Sequence, residues 1–198
     1  MALLFVNACI RGEASRTFQL CRAFLEAFAA AAPGVPILEH NLVNTPPTPI
    51  DPERLAKRET LCDNYTWNDP MIAQALDLQQ AEAVLIGAPY WDLSFPSVLK
   101  VWVENVFVRN LTFRYENDVP IGLCQGKHCV YLTTSGSPIA GNDWGTGYIR
   151  ATMDMLGLSE FSTVRAEGLD LMENDADALL RPALQEARLC AQALAQRL

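Results

Sequence analysis

The chain has 198 residues, half of them hydrophobic, and a formal net charge of −8. These values suit one domain, 1–198, with a large core, and they exclude a disordered chain. No basic stretch exceeds two residues, so nucleic acid and anionic membranes are poor partners. No apolar run reaches the roughly 18 residues of a membrane span, and the start of the chain lacks a basic signal-peptide region. The sequence therefore predicts a cytoplasmic protein.

The six cysteines and two histidines show no metal-binding pattern. The cysteine spacing matches neither a zinc site nor a CxxC motif. His40 and His128 stand near no second candidate ligand. We therefore expect free, mostly structural thiols in a reducing compartment and no bound metal.

The first third of the chain predicts two strands and a helix between them. Leu3 to Asn7 is an uninterrupted apolar run, typical of a strand buried on both faces. After the loop 8–14, Ser15 is a good N-cap for a helix with an apolar face. Val35 to His40 is a less apolar strand, which favours an edge position.

A long connection follows, from residue 44 to residue 70. It is rich in proline, and Asp51-Pro52 predicts the start of a short helix that runs to about Cys62. Asp69-Pro70 repeats this signal for a helix through Gln80. A connection of this length is either a functional lid or a surface insertion, and the sequence leaves both open.

The stretch from Ala83 to Arg109 predicts half of a βαβ unit. Ala83 to Gly87 is a buried strand, Pro89 to Ser94 a loop, and Pro96 the first turn of an apolar helix that ends near Arg109. Ligands of open α/β sheets bind beyond the carboxyl ends of the strands. We therefore expect the loop 89–94 to face a ligand.

The rest of the chain predicts a hairpin and two more strand–helix units. Residues 111–115 have strand-like composition, and Asn117-Asp118 predicts the turn that follows them. The further expected elements are a strand His128–Thr134, a loop 134–147, a helix Tyr148–Leu156, a strand Phe161–Ala166 and a last helix, with Pro182 in its first turn or kinking it. Five strands alternating with helices predict an α/β fold, a doubly wound five-stranded parallel sheet with helices on both faces. Strands 1 and 3 are the most apolar, which favours the flavodoxin-like order 2-1-3-4-5.

Three loops should meet at the carboxyl edge of this sheet. The first enters a helix N-terminus, where free N–H groups, the hydroxyls of Ser15 and Thr17 and the charges of Arg11 and Arg16 would attract a phosphate. It matches neither GxGxxG nor GxxxxGK[ST], and an ordinary capped helix is the alternative. The second loop offers two adjacent aromatic residues, and the third, 133–137, small residues that let a ligand approach. Core packing and a plain turn are the alternatives for these two loops. Together the three loops have the layout of a flavin mononucleotide (FMN) site.

The segments APYWDLSFPSVLKVWVENV, LTFRY and GLCQGKH resemble the FMN-dependent NADH-quinone oxidoreductase and azoreductase family, of flavodoxin-like fold. The resemblance places Cys9, Ser15, Arg16 and Thr17 at the phosphate, beside Arg11 of the same loop. It places Tyr90, Trp91, Asp92 and Leu93, after Pro89, at the isoalloxazine ring. It places Thr134, Ser135, Gly136 and Ser137 at the far edge of the ring. Cys9 stands where the family often has serine, Asp92 where asparagine is frequent, Ser135 where arginine is frequent, and Ser137 where glycine is frequent.

The resemblance implies hydride transfer from NADH or NADPH to a quinone-like or azo acceptor. One stacking site for both substrates predicts ping-pong kinetics, and no side chain is expected to act as a catalytic acid or base. A single phosphate cradle predicts FMN and not FAD. The alternatives are a flavodoxin-type electron carrier and a general NAD(P)H-dependent FMN reductase. A receiver domain is excluded because Gly87-Ala88-Pro89 holds no aspartate. A hydrolase that uses Cys9 is disfavoured because no histidine lies in a neighbouring loop.

The helix 96–109 is apolar on more than one face, which predicts a homodimer. One face should cover the sheet, and the other needs a partner. The apolar residues on which this expectation depends are Val98, Val101, Trp102, Val103, Val106, Phe107 and Val108. The resemblance implies the same assembly, with an active site shared between chains and with Tyr115 and Trp91 near the substrate pocket.

Overall fold

A five-stranded parallel sheet forms the centre of the computed structural model, which describes residues 2–198. Its strands are β1 (Leu3–Asn7), β2 (Ile37–Asn41), β3 (Ala83–Gly87), β6 (His128–Thr134) and β7 (Glu160–Ala166), in the spatial order β2-β1-β3-β6-β7. An antiparallel hairpin of β4 (Phe113–Glu116) and β5 (Val119–Gly122) lies outside this sheet. The predicted α/β class with five parallel strands is confirmed.

Six α-helices within the described residues cover the sheet. They are α1 (Arg16–Ala31), α2 (Pro52–Asp63), α3 (Ala73–Gln80), α4 (Ser97–Val106), α5 (Trp144–Met155) and α6 (Ala176–Ala195). Successive side chains of a strand point to opposite faces, so Leu3 and Phe5 pack with α1 and α6 while Leu4 and Val6 pack with α3, α4 and α5. β1 and β3 are buried along their whole length because helices lie on both faces.

Side-chain caps mark the starts of α1, α2, α5 and α6, and those of α5 and α6 are not predicted from the sequence. Ser15 Oγ accepts a hydrogen bond from the Phe18 N–H at 3.3 Å, as its N-cap position predicts. α5 begins at Trp144 and not at Tyr148, because the Asp143 carboxylate accepts from the Thr146 N–H at 2.9 Å. The glycines of the stretch 134–147 favour a loop in the sequence, although Asp143 stabilises a helix start there.

Pro182 lies inside α6 and not in its first turn, so the first-turn alternative was wrong. Proline has no N–H to donate to the carbonyl four residues earlier, here that of Ala178. The helix nevertheless continues to Ala195, with an apolar stripe that packs on α1 and the sheet. Tertiary packing of this stripe outweighs the local cost of the proline.

The long connection 44–70 packs beside α4. Asn105 Nδ2 donates to the Thr48 carbonyl at 2.9 Å, and Arg58 Nη1 donates to the Glu104 carbonyl at 2.8 Å. These bonds fix the segment against the carboxyl-terminal half of α4. Among residues 2–198, no helix combines the length and apolar character required to cross a membrane.

Candidate functional site

A cleft of about 240 Å³ opens at the carboxyl ends of the strands. Four loops form it, those that follow β1, β3, β6 and β7. Its walls consist of Arg11, Ala14, Ser15, Arg16, Pro89, Tyr90, Trp91, Thr134, Ser135, Gly136, Leu169 and Asp170. All three loops chosen from the sequence therefore meet at one place, and a fourth loop joins them.

The N-terminus of α1 forms one end of the cleft. The start of a helix leaves the N–H groups of Arg16 and Thr17 without intrahelical acceptors, and the helix dipole adds a partial positive charge there. The Thr17 hydroxyl is buried and lies 2.6 Å from the Thr134 hydroxyl, which joins the helix start to the end of β6. This bond fixes the position of the free N–H groups relative to the loop that follows β6.

The loop after β3 forms the opposite wall. The Tyr90 N–H donates to the Thr134 carbonyl at 2.9 Å, and the Tyr90 hydroxyl donates to the Asn142 carbonyl at 3.0 Å. Trp91 and Ser94 exchange two backbone hydrogen bonds, of 3.1 and 2.8 Å, around a tight turn. The two central residues of this turn have φ values of 49° and 66°, a left-handed conformation that costs a residue with a side chain about 1–2 kcal/mol. They are Asp92 and Leu93. The turn keeps the half-exposed Trp91 ring beside the cleft.

Three further residues line the cleft that the sequence does not predict there, Ala14, Leu169 and Asp170. The last two lie in the loop after β7, which also follows a strand at the carboxyl edge. The order of the strands gives no direct indication that this loop reaches α1. The Arg16 side chain spans the distance, and its Nη1 lies 2.6 Å from Asp170 Oδ1.

Several predicted site residues do not line the cleft. The Cys9 thiol is buried and donates to the Gly87 carbonyl, with an S···O distance of 3.6 Å. The Ser137 carbonyl accepts a hydrogen bond from Ser135 Oγ at 2.6 Å, within the loop after β6. The residues absent from the cleft wall are Cys9, Thr17, Asp92, Leu93, Ser137 and Tyr115. Tyr115 is exposed on the β4–β5 hairpin, where its ring packs edge-on against Phe113.

Two buried titratable groups lie beside the end of β3, and burial favours their neutral forms. Burial raises the pKa of the Tyr131 phenol, which donates to the Ala88 carbonyl at 3.4 Å. Burial and the neighbouring Cys9 thiol raise the pKa of Cys21. Within residues 2–198, no three histidine, cysteine or carboxylate side chains come together as a metal site. The cleft thus offers hydrogen-bond donors, cationic groups, aromatic surface and one carboxylate, that of Asp170.

Known proteins of similar sequence and structure share the fold described above. The family model for the flavodoxin-like fold matches residues 1–189. An FMN-dependent NADH:quinone oxidoreductase of Pseudomonas putida is 32% identical over 177 residues, covering 85% of this chain and 87% of the relative. One of Clostridium acetobutylicum is 28% identical over 192 residues, covering 94% and 96%.

Among solved structures, an azoreductase from Bacillus anthracis superimposes with a TM-score of 0.80 at 25% identity. The match covers 98% of this chain and 100% of the azoreductase. The similarity thus extends over nearly the whole chain. The chain belongs to the family of FMN-dependent NADH:quinone oxidoreductases and azoreductases, within the flavodoxin-like fold.

Proposed function

We propose that this protein is an FMN-dependent oxidoreductase that transfers hydride from NADH or NADPH to a quinone-like or azo acceptor. The observation that carries the proposal is the meeting of the α1 N-terminus, two arginines and an aromatic loop in one cleft. The relatives named above carry such an activity in their names. Because they match nearly the whole chain, the comparison concerns the complete fold and not a shared fragment.

The donor set in the cleft fits a mononucleotide phosphate. The free N–H groups at the start of α1 and the Ser15 hydroxyl provide directed donors, while Arg11 and Arg16 provide charge in a chain with an overall charge of −8. Nothing in the cleft provides a second such cradle. This chemistry supports FMN in preference to FAD.

The remaining walls fit a flat ring. Tyr90 and Trp91 offer aromatic surface on one side. The small Ser135 lets a ring edge approach the backbone on the other side, beside Gly136, whose missing Cβ leaves room for Asp170. Bound flavin would accept a hydride from the nicotinamide and pass it to the acceptor.

The contribution of the protein is to bind and to orient. The reciprocal Trp91–Ser94 bonds and the link from Tyr90 to Asn142 hold the aromatic loop in one conformation. We propose no side chain as a proton donor, so solvent supplies the protons. One site that served both substrates in turn would give ping-pong kinetics.

The purified protein should be yellow, and heat should release FMN. Under anaerobic conditions NADH or NADPH should bleach the flavin without an acceptor, because the first half-reaction is complete in itself. Double-reciprocal plots with a quinone should give parallel lines. If chromatography identified the released flavin as FAD, the proposed cofactor would be wrong. Intersecting lines would contradict the ping-pong order. A flavin that neither nicotinamide bleaches would favour the electron-carrier alternative.

We also propose that 1–198 acts as one domain, as a homodimer, in the cytoplasm. Six unpaired thiols suit a reducing compartment. The cleft volume lies below the roughly 300–1,000 Å³ of ligand pockets, so a second wall from another copy would complete it. A groove of about 710 Å³ between α2, α4 and α5 supports this assembly. Its apolar lining includes Ile50, Leu55, Val103, Phe107, Tyr148 and Met155, with Arg58, Lys100 and Glu104 among the charged residues.

Light scattering at micromolar concentration should give twice the 21.9-kDa mass of the chain. Leu55→Glu should shift this equilibrium to the monomer, because it places a charge in the apolar groove. Leu189→Glu is the matched control, since Leu189 is a comparably exposed leucine on α6, outside the groove. A monomeric wild-type protein, or equal masses for the two variants, would contradict an interface at the groove.

A further inference from the structure

A carboxylate lies in the part of the cleft where the neighbouring groups suit an anion. Asp170 Oδ1 is 2.6 Å from Arg16 Nη1, and both residues line the cleft. Arg16 is the first residue of α1, so the pair lies at the positive end of the helix dipole. The arrangement is unexpected, because a negative charge here repels a phosphate that uses the same end of the helix.

Backbone contacts hold Asp170 in this place. Its N–H donates to the Gly136 carbonyl at 2.9 Å, and the Leu169 N–H donates to the Ser135 carbonyl at 3.1 Å. The Asn174 side chain donates to the Gly168 carbonyl at 2.7 Å, which closes the loop. The loop is thus attached to the end of β6, and Asp170 has a defined position in the cleft wall.

The shape of the neighbouring loop leaves room for this carboxylate. A Cβ at Gly136 would lie 2.3 Å from Asp170 Oδ2 and 3.0 Å from Asp170 Cγ. Asp170 therefore occupies space that any other residue at position 136 would fill. The Asp170 carboxylate thus packs against Gly136 and pairs with the Arg16 guanidinium.

We propose that Asp170 competes with the phosphate group of FMN for Arg16 and thereby lowers the affinity of the protein for its cofactor. This inference rests on the proposed function, since it needs a phosphate at the start of α1. The ion pair is accessible to water, with 37% of the Arg16 side chain and 62% of the Asp170 side chain exposed. Such pairs contribute little to stability, so a phosphate can take over Arg16 without unfolding the loop.

The competition depends on charge and not on shape. Asp170 is the carboxylate that pairs with the Arg16 guanidinium. A phosphate that approaches Arg16 must separate it from Asp170 or share it with a second anion. Riboflavin has the same ring and side chain without the phosphate, so it should not compete.

The test measures binding of FMN and of riboflavin to the apoprotein by quenching of flavin fluorescence. Asp170→Asn keeps the shape of the side chain and removes its charge. It should lower the Kd for FMN by about tenfold, the scale of a like-charge contact near a protein surface. The Kd for riboflavin should change by less than about twofold, because no anion is involved.

Two further variants separate the possible causes. Glu173→Gln removes one negative charge from the same loop at an exposed residue outside the cleft, so it should leave both affinities unchanged. In an Arg16→Gln background the effect of Asp170→Asn should become much smaller, because only the direct repulsion between Asp170 and the phosphate remains. Far-UV circular dichroism and the Tm verify that each variant is folded.

Each contrary result has a distinct meaning. An unchanged FMN affinity in Asp170→Asn, or an effect that persists fully in Arg16→Gln, overturns the competition. Weaker binding of both flavins overturns it as well and would make Asp170 a direct ligand of the flavin. A wild-type protein that binds neither flavin refutes the proposed function itself, before the variants are compared.

Discussion

Raising the pH from 8 to 11 should lower the free energy of unfolding by about 5 kcal/mol through two buried thiols alone. Burial raises the pKa of Cys124 from its ordinary 9.0 to about 12, and it also raises the pKa of Cys129. Above pH 9 the unfolded chain releases protons that the folded chain keeps. Each thiol therefore costs about 1.4 kcal/mol per pH unit until its folded pKa is reached.

Urea unfolding at several pH values measures this slope. Cys129→Ala should reduce the alkaline decrease by about 2–3 kcal/mol, half of the part due to the two thiols, although the small cavity lowers stability at every pH. Cys190→Ala is the matched control, because Cys190 is only half-buried and its loss should change the slope less. Equal slopes for wild type and Cys129→Ala would mean that the fold tolerates a thiolate at residue 129.

Gly87→Ala should destabilise the protein by about 3 kcal/mol, the upper end of the range for overpacked cores. Gly87 ends β3, directly before the loop that carries Tyr90 and Trp91. A Cβ at this residue would lie 2.2 Å from Cys21 Sγ, inside the fully buried contact between β3 and α1. The next atoms, Phe5 Cε2 at 3.5 Å and Cys9 Sγ at 3.6 Å, are at ordinary contact distances.

Because a single sulfur atom causes the conflict, a second substitution should relieve it. Cys21→Ala alone should cost about 1 kcal/mol for the atoms it removes. The double variant should be no less stable than Cys21→Ala, which gives a coupling energy of about 3 kcal/mol in the mutant cycle. Additive losses would show that Gly87 is required for its backbone and not for the space beside Cys21. FMN titration of the double variant then tests whether the loop after β3 keeps its position.

The sequence by itself determined the sheet and most of the helix starts. The apolar runs of β1 and β3 have no polar alternation, and only burial on both faces explains such a pattern. Ser15 and Asp51 cap their helices as expected, because a cap depends on residues within one turn. The three predicted loops meet in the cleft for a general reason, since the carboxyl ends of parallel strands lie at one edge.

Only the tertiary structure decided which side chains in those loops reach the cleft. Cys9 follows a strand at the right edge, yet its thiol bonds to the Gly87 carbonyl below, because a neighbouring strand offers that acceptor. Asp170 lies 154 residues from Arg16 in the chain, and no local pattern connects them. Their contact exists because backbone bonds to Ser135 and Gly136 carry the loop after β7 over the end of β6, within reach of α1.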